Sequence, residues 1–226
     1  MTNTTFRGFS IAAALLATAV FACCCARAQQ EIAPPQGKGH VVVFVSGLAG
    51  IKHEEVLAKA IAALGYDVVA YDGRAIDRSP SVSLRTAIQQ AQQMPHALPG
   101  KVALVGVSLG GGLALALGSR WPDLVAVDIV WYPATGFVNR MPGFARTIAV
   151  PVLMLAGESD RYLDCCLIGT ARTLAADAAA VHAPFELISY PGVDHDFIKG
   201  GSGYNPTAYD DALEHTLAKL KATFGD

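Results

Sequence analysis

KVALVGVSLGGGLALALG, residues 101–118, decides the fold. After its lysine the first half, Val102 to Val107, is apolar with no polar alternation. That is the pattern of a central strand covered on both faces of a parallel sheet. The second half, LGGGLALALGSRW, reads as a helix packed tightly on that sheet. Between them stands Ser108, with Gly106 and Gly110 completing G-x-S-x-G. A sharp strand-to-helix turn would force Ser108 into a strained backbone conformation and crowd the residues two before and two after it. Only small side chains fit there, which gives both glycines a steric reason. The competing reading is a helix-capping serine beside packing glycines.

Working outward, the chain from Gly37 alternates short β-branched runs with longer amphipathic stretches, the βα rhythm. HVVVFVSG (40–47), DVVAYD (67–72), LVAVDIVWY (124–132), PVLMLAG (151–157) and FELISYP (185–191) read as further strands. HEEVLAKAIAALG (53–65) is predicted helical, with acidic residues in its first turn and a closing glycine. Helices are also predicted over 81–94, stopped by Pro95, over 165–180 and over 206–224. The expected architecture is a single α/β domain over 40–226, an open, mostly parallel sheet with helices on both faces. An arm spans 29–39. Ligands of such sheets bind beyond the carboxyl ends of the strands.

Composition narrows the function classes. Of 226 residues, 52% are hydrophobic and 16% charged, which suits a filled core and argues against disorder. The first 28 residues combine Arg7, an apolar run from Phe9 to Ala22 and the A-x-A pattern Ala26-Arg27-Ala28, the marks of an export signal. An uncleaved membrane anchor and a lipid-modified Cys23 are the alternatives; Phe21 sits poorly in a lipoprotein signal. Cleavage would leave 15 basic against 19 acidic residues, a formal charge of −4 with nothing to favour nucleic acid. It would also remove Cys23, Cys24 and Cys25, leaving the adjacent Cys165 and Cys166. Neighbouring cysteines rarely bridge, so a free or intermolecular thiol is expected, with no structural disulfide. Neither a metal nor a cofactor is expected.

A serine hydroxyl needs a base within reach and an acid to orient that base. Among six histidines only His195 follows a strand by a short loop, which puts it on Ser108's edge of the sheet. His40 begins a strand, His53 opens the first helix, His96 and His182 precede strands, and His215 lies within the last helix. The acid should also follow a strand; Asp160 is preferred, with Glu158 second and Asp164 farther along. Asp194 is covalently too close to His195 to clasp its ring. The order Ser108, Asp160, His195 is that of an α/β-hydrolase triad. Leu109 N–H, at the helix start, would stabilise an oxyanion, with Leu48 N–H of the first-strand loop as its partner.

From His40 onward the chain resembles the dienelactone hydrolase family. The resemblance rests on AIAALGYDVVAYD, GVSLGGGLAL, VPVLMLAGESD and ELISYPGVDHDF. It implies a compact α/β-hydrolase with little or no lid, acting on small ester or lactone substrates. The family's founding members carry cysteine where this chain has Ser108, and glutamate where it has Gly47. Both departures fit an ordinary Ser-His-Asp esterase. The family's carboxylate-binding arginine corresponds to Lys199, a point charge in place of a planar fork. Arg74 and Arg78 could line the mouth. The expectation is therefore an exported serine hydrolase, periplasmic or secreted. Two other readings stand beside it, a catalytically silent binding protein on the same fold and a peptidase or amide hydrolase using the same residues.

Overall fold

The computed structural model describes residues 29–75 and 79–225, together with Met1. The leader reading at 1–28 and the candidate Arg78 lie outside the described residues, Met1 apart. In chain order the elements are β1 (Gln29–Ile32), β2 (Val41–Val45), α1 (Ile51–Ala62), β3 (Asp67–Tyr71), α2 (Pro80–Ala91), β4 (Val102–Val107) and α3 (Ser108–Leu117). They continue with β5 (Val125–Trp131), β6 (Val152–Gly157), α4 (Ile168–Ala180), β7 (Phe185–Tyr190) and α5 (Pro206–Phe224).

The strands form one sheet in the order β1-β3-β2-β4-β5-β6-β7, parallel throughout except for the antiparallel edge pair of β1 with β3. This is the expected α/β architecture. The polar QQEI of β1 carries no strand-like alternation; its pairing comes from the open edge of β3, which leaves ladder groups to be satisfied. After β3 the chain crosses back over β2 to form β4, so the strand order reverses between β2 and β4. The carboxyl ends of these two strands flank the crevice where such sheets hold ligands.

Period-two alternation sends side chains to two separate cores. Val41, Val43 and Val45 face α2 and α3, in one cluster with Leu84, Ile88 and Leu115 that continues to Leu174 of α4 under β6 and β7. Val42 and Phe44 face α1 and α5, packing with Leu57, Ile61, Tyr209 and Leu220. Each fully buried side chain of this size contributes about 1.5–3 kcal/mol. The last helix is fixed at both ends. Asn205 Oδ1 accepts from Ala208 N–H at 3.0 Å, Pro206 opens the first turn, and Gly225 ends it at φ 82°. No helix among the described residues is long and apolar enough to cross a membrane.

Two sequence expectations need correction at one place. Cys165 and Cys166 are joined by a disulfide, and α4 accordingly begins at Ile168 rather than Cys165. Tertiary anchoring overrides the general reluctance of neighbouring cysteines to pair. Leu163 and Asp164 both take positive φ just before the pair, and the Cys165 carbonyl accepts from the Thr135 and Gly136 amides at 2.8 and 3.0 Å. The backbone that presents the two sulfurs is therefore held from a loop of another strand.

Candidate active site

Ser108 follows β4 directly and has φ 49°, a left-handed conformation uncommon for any residue but glycine. A Cβ on Gly106 would lie 2.6 Å from the Gly110 carbonyl oxygen, and one on Gly110 would strike the carbonyl of Val45. Both glycines are thus steric requirements of the turn. Among the described residues six non-glycine positions have positive φ. Five of them (Ser108, Tyr132, Leu163, Asp164 and Asp196) lie beyond the carboxyl ends of β4, β5, β6 and β7. Backbone strain is concentrated on one rim of the sheet, the rim where function is expected.

On that rim the three residues named from sequence meet. His195 Nδ1 lies 2.6 Å from Asp160 Oδ2 and Ser108 Oγ lies 3.0 Å from His195 Nε2. A carboxylate can only accept, so Nδ1 carries the proton and Nε2 is left as the acceptor for the serine hydroxyl. Asp160 is fully buried, with Ser108 and His195 nearly so. Asp160 Oδ1 accepts from Tyr162 N–H at 3.0 Å. Asp194 takes a separate task, accepting from the backbone N–H of His195 at 2.7 Å. Glu158 turns away to Ser189 and Arg172, at 2.7 and 2.5 Å.

Several residues that sequence reasoning missed complete the surroundings. The Tyr162 ring stacks on the His195 ring at 4.5 Å and 6°, and Tyr132 meets it edge-on at 4.8 Å. The imidazole is therefore confined on two sides. The buried Cys166 places its sulfur within 4.8 Å of the Asp160 and His195 ligand atoms, so the disulfide packs behind the pair. His53, set aside as a helix-opening residue, has Nε2 3.1 Å from Asp196 Oδ2 at the edge of the site.

Glu54 is the most consequential of these. Its carboxylate is buried and both oxygens accept from the single N–H of Gly47, at 3.1 and 2.9 Å. Burial pushes its pKa up to about 8, with the Gly47 N–H pulling the other way and Asp196 and Asp72 adding to the rise. A Cβ on Gly47 would come within 2.9 Å of both Glu54 Oε1 and Ser108 Cβ, so Glu54 occupies the room a side chain at position 47 would need. A signal was present in the sequence. Glu54 stands three, four and seven residues before Leu57, Ala58 and Ile61, on the apolar stripe of α1.

A cavity of about 160 Å³ opens over Ser108, lined by Leu48, Glu54, Tyr132, Tyr162, His195 and Asp196 among others. A wider, open apolar groove of about 570 Å³ lies along α5, between Leu64 and Lys221, and contains none of these groups. The smaller cavity is the one with chemistry in it. Leu48 N–H has no acceptor among the described residues, and Leu109 N–H falls in the first turn of α3, where helix amides have no intrahelical partner. Tyr132 hydroxyl is buried with no hydrogen bond of close geometry among the described residues, Asp196 being the carboxylate it faces; burial, then Glu54 and Asp196, pushes its ionisation far upward. Arg74 and Lys199 are not part of the cavity wall. Arg74 is held by Asp72, at 2.6 Å through Nη2, with its guanidinium against Gly50; Lys199 is exposed.

Residues 73–224 match the dienelactone hydrolase family. An uncharacterized protein of Mycobacterium tuberculosis is 27% identical over 186 residues, 71% of this chain. That alignment spans 64% of the relative's own length. Among solved structures, esterase 2 of Thermogutta terrifontis phosphorylated by paraoxon superposes with a TM-score of 0.69 at 19% identity, covering 86% of this chain and 88% of that one. Est1E of Butyrivibrio proteoclasticus gives 0.65 at 12% identity, covering 85% and 93%. These structures share the fold.

Proposed function

The chain belongs to the dienelactone hydrolase family, and from that premise we propose that it is an exported serine hydrolase cleaving small carboxylic esters or lactones through an acyl-enzyme on Ser108. The observation that carries this reading is the relay from Ser108 Oγ to His195 Nε2 at 3.0 Å and from His195 Nδ1 to Asp160 Oδ2 at 2.6 Å. In the proposed mechanism Ser108 Oγ attacks the ester carbonyl as its proton passes to His195 Nε2. Asp160 fixes the tautomer and stabilises the imidazolium that forms. The tetrahedral oxyanion is met by the N–H groups of Leu109 and Leu48, fixed in direction before reaction and so spared reorganisation. His195 then returns the proton to the leaving alkoxide, and water repeats the sequence on the acyl-enzyme.

The cavity of about 160 Å³ supports small acyl groups, since larger ones would have to extend past Leu48 and Tyr162 into solvent. Export is supported by the leader pattern in residues 1–28 and by the disulfide, a bond that persists in oxidising compartments. A fluorophosphonate probe tests the nucleophile, since such reagents phosphonylate an activated serine. Native protein is expected to label and Ser108→Ala to lose labelling entirely. Absence of labelling in folded native protein would remove the hydrolase reading, and labelling that survives the substitution would move the nucleophile elsewhere. Aryl esters of graded acyl length, run against matching amides, then separate an esterase from an amide hydrolase. Acetyl and propionyl esters are expected to be fastest.

A further inference from the structure

On the opposite rim of the sheet, three side chains from three separate segments converge. Glu31 lies in β1 opposite Val69 of β3, and Asp67 is two residues before Val69, so the two carboxylates share one face of the edge pair as diagonal neighbours. His96 comes from the loop before β4, with Nδ1 2.9 Å from Glu31 Oε1. One ligand atom from each residue falls within 4.8 Å of the other two. The backbones are anchored independently of the side chains. Asp67 N–H donates to the His40 carbonyl at 3.0 Å, and the His96 carbonyl accepts from Gly39 N–H at 2.9 Å.

Asp67 is the anomaly in this trio. It is fully buried, and neither carboxylate oxygen has a hydrogen bond of close geometry among the described residues; the one side chain placed to share a proton with it is the second carboxyl, Glu31. Lys38, the nearby cation in sequence, donates to the Ala97 carbonyl instead. A buried carboxylate facing a second carboxylate is costly unless something positive stands between them. Asp128 in β5 offers the contrast. It too is buried with both oxygens unpartnered, yet it belongs to no cluster of ligating side chains among the described residues. Asp67, by contrast, points at two further ligands, one of which is open to solvent. The side chains of His96 and Glu31 are 44% and 22% exposed, which provides a path of entry.

We infer that Glu31, Asp67 and His96 form a site for one divalent transition cation of the Zn²⁺ class, clamping the edge strand β1 to the sheet. Two carboxylates and one imidazole, with a water in the fourth position, match the ligand preferences of Zn²⁺; Ca²⁺ would require six to eight oxygens. Donors about 2.0–2.2 Å from a tetrahedral ion stand roughly 3.4 Å apart, so the cluster needs to close by little more than an ångström. The imidazole would carry its proton on the outward Nε2 and present Nδ1 to the metal. This site lies on the rim away from Ser108, and it stands or falls independently of the hydrolase reading.

The test uses the full mature chain without an affinity tag, stripped with chelator and titrated with ZnCl₂ by calorimetry, with thermal unfolding followed in parallel. One equivalent is expected to bind and to raise the Tm by at least about 2 °C at saturating Zn²⁺, while CaCl₂ does neither. Glu31→Gln and His96→Ala, both at partly exposed positions, should each weaken binding at least about tenfold and lose the Tm rise. His215→Ala, on α5, should change neither. Native protein that binds no Zn²⁺ overturns the inference, and an Asp67→Asn variant that melts higher without metal would assign a shared proton in its place. Equal binding by native protein, Glu31→Gln and His96→Ala would also overturn it, by moving the ion elsewhere.

Discussion

At the carboxyl rim of the sheet Asp160 is fully buried and accepts from both His195 Nδ1 and Tyr162 N–H, whereas Asp67 at the amino rim is equally buried and makes no hydrogen bond of close geometry among the described residues. Chain path accounts for the difference. Asp160 lies in a loop, where the backbone is free to turn and present Tyr162 N–H to its own side chain, and where a second loop arrives carrying His195. Asp67 is the first residue of β3, its N–H already committed to His40, so nothing local can turn toward its carboxylate. Loops beyond strand ends can bring donors to an acid; strand starts leave the acid dependent on what docks there. On the functional rim Glu54 falls between these extremes, with one shared donor, while the Tyr132 hydroxyl makes no hydrogen bond of close geometry among the described residues.

Removing the best-satisfied acid should have the largest effect. Asp160→Asn keeps the shape but offers His195 Nδ1 an amide that can hold the wrong tautomer, and on the proposed mechanism kcat/KM on an aryl ester should fall about 10³–10⁴-fold. Circular dichroism and Tm should report a folded protein. Activity within tenfold of native would break the contrast, because Asp160 would then be satisfied for structural reasons alone, as Asp67 would be by a cation.

The strands were legible because a buried parallel strand is an uninterrupted apolar run. Val102 to Val107 begins and ends where the side chains predict. Ser108, Asp160 and His195 were legible for a related reason, since the position of a residue after a strand fixes which rim it occupies, and the structure brings these three together. What could not be read depended on tertiary placement. QQEI became a strand because β3 offered an edge, and Cys165 met Cys166 because Thr135 and Gly136 hold the intervening backbone. Glu54 lay on the boundary. Its place on the apolar stripe of α1 was visible, but the Gly47 amide that receives it belongs to another loop.

Glu54 should sharpen the comparison through pH. Its pKa rises from 4.5 in the open chain to about 8 in the fold, so between those values the folded protein keeps a proton that the unfolded chain has lost. Stability is therefore expected to fall as pH rises from about 4.5 toward 8 and to level off above, by a few kcal/mol at most. Glu54→Gln, neutral throughout, should flatten this slope in denaturant titrations. The ionised form also sets an anion beside the Gly47-Leu48 amides, where it opposes a developing oxyanion. The native pH–rate profile should accordingly decline above about pH 8, and the variant's should not. Parallel profiles for the two proteins would show that Glu54 carries no charge the reaction can sense.

Tyr132 is the smallest and most discriminating case, because stability and activity should move in opposite directions. Its hydroxyl is buried and makes no hydrogen bond of close geometry among the described residues, with Asp196 its acidic neighbour, while the residue lines the cavity beside Ser108. Tyr132→Phe deletes a polar group that the resting fold leaves unsatisfied, which should stabilise by about 1 kcal/mol, roughly 2–4 °C in Tm for a chain of this size. If the hydroxyl finds its partner only when an ester occupies the cavity, kcat/KM should fall about tenfold while the protein melts higher. A variant that gains stability and keeps full activity would make Tyr132 an orphan like Asp128, tolerated by the core. A variant that loses both would mean that the ring's edge-on contact with His195, at 4.8 Å, depends on the hydroxyl for its placement.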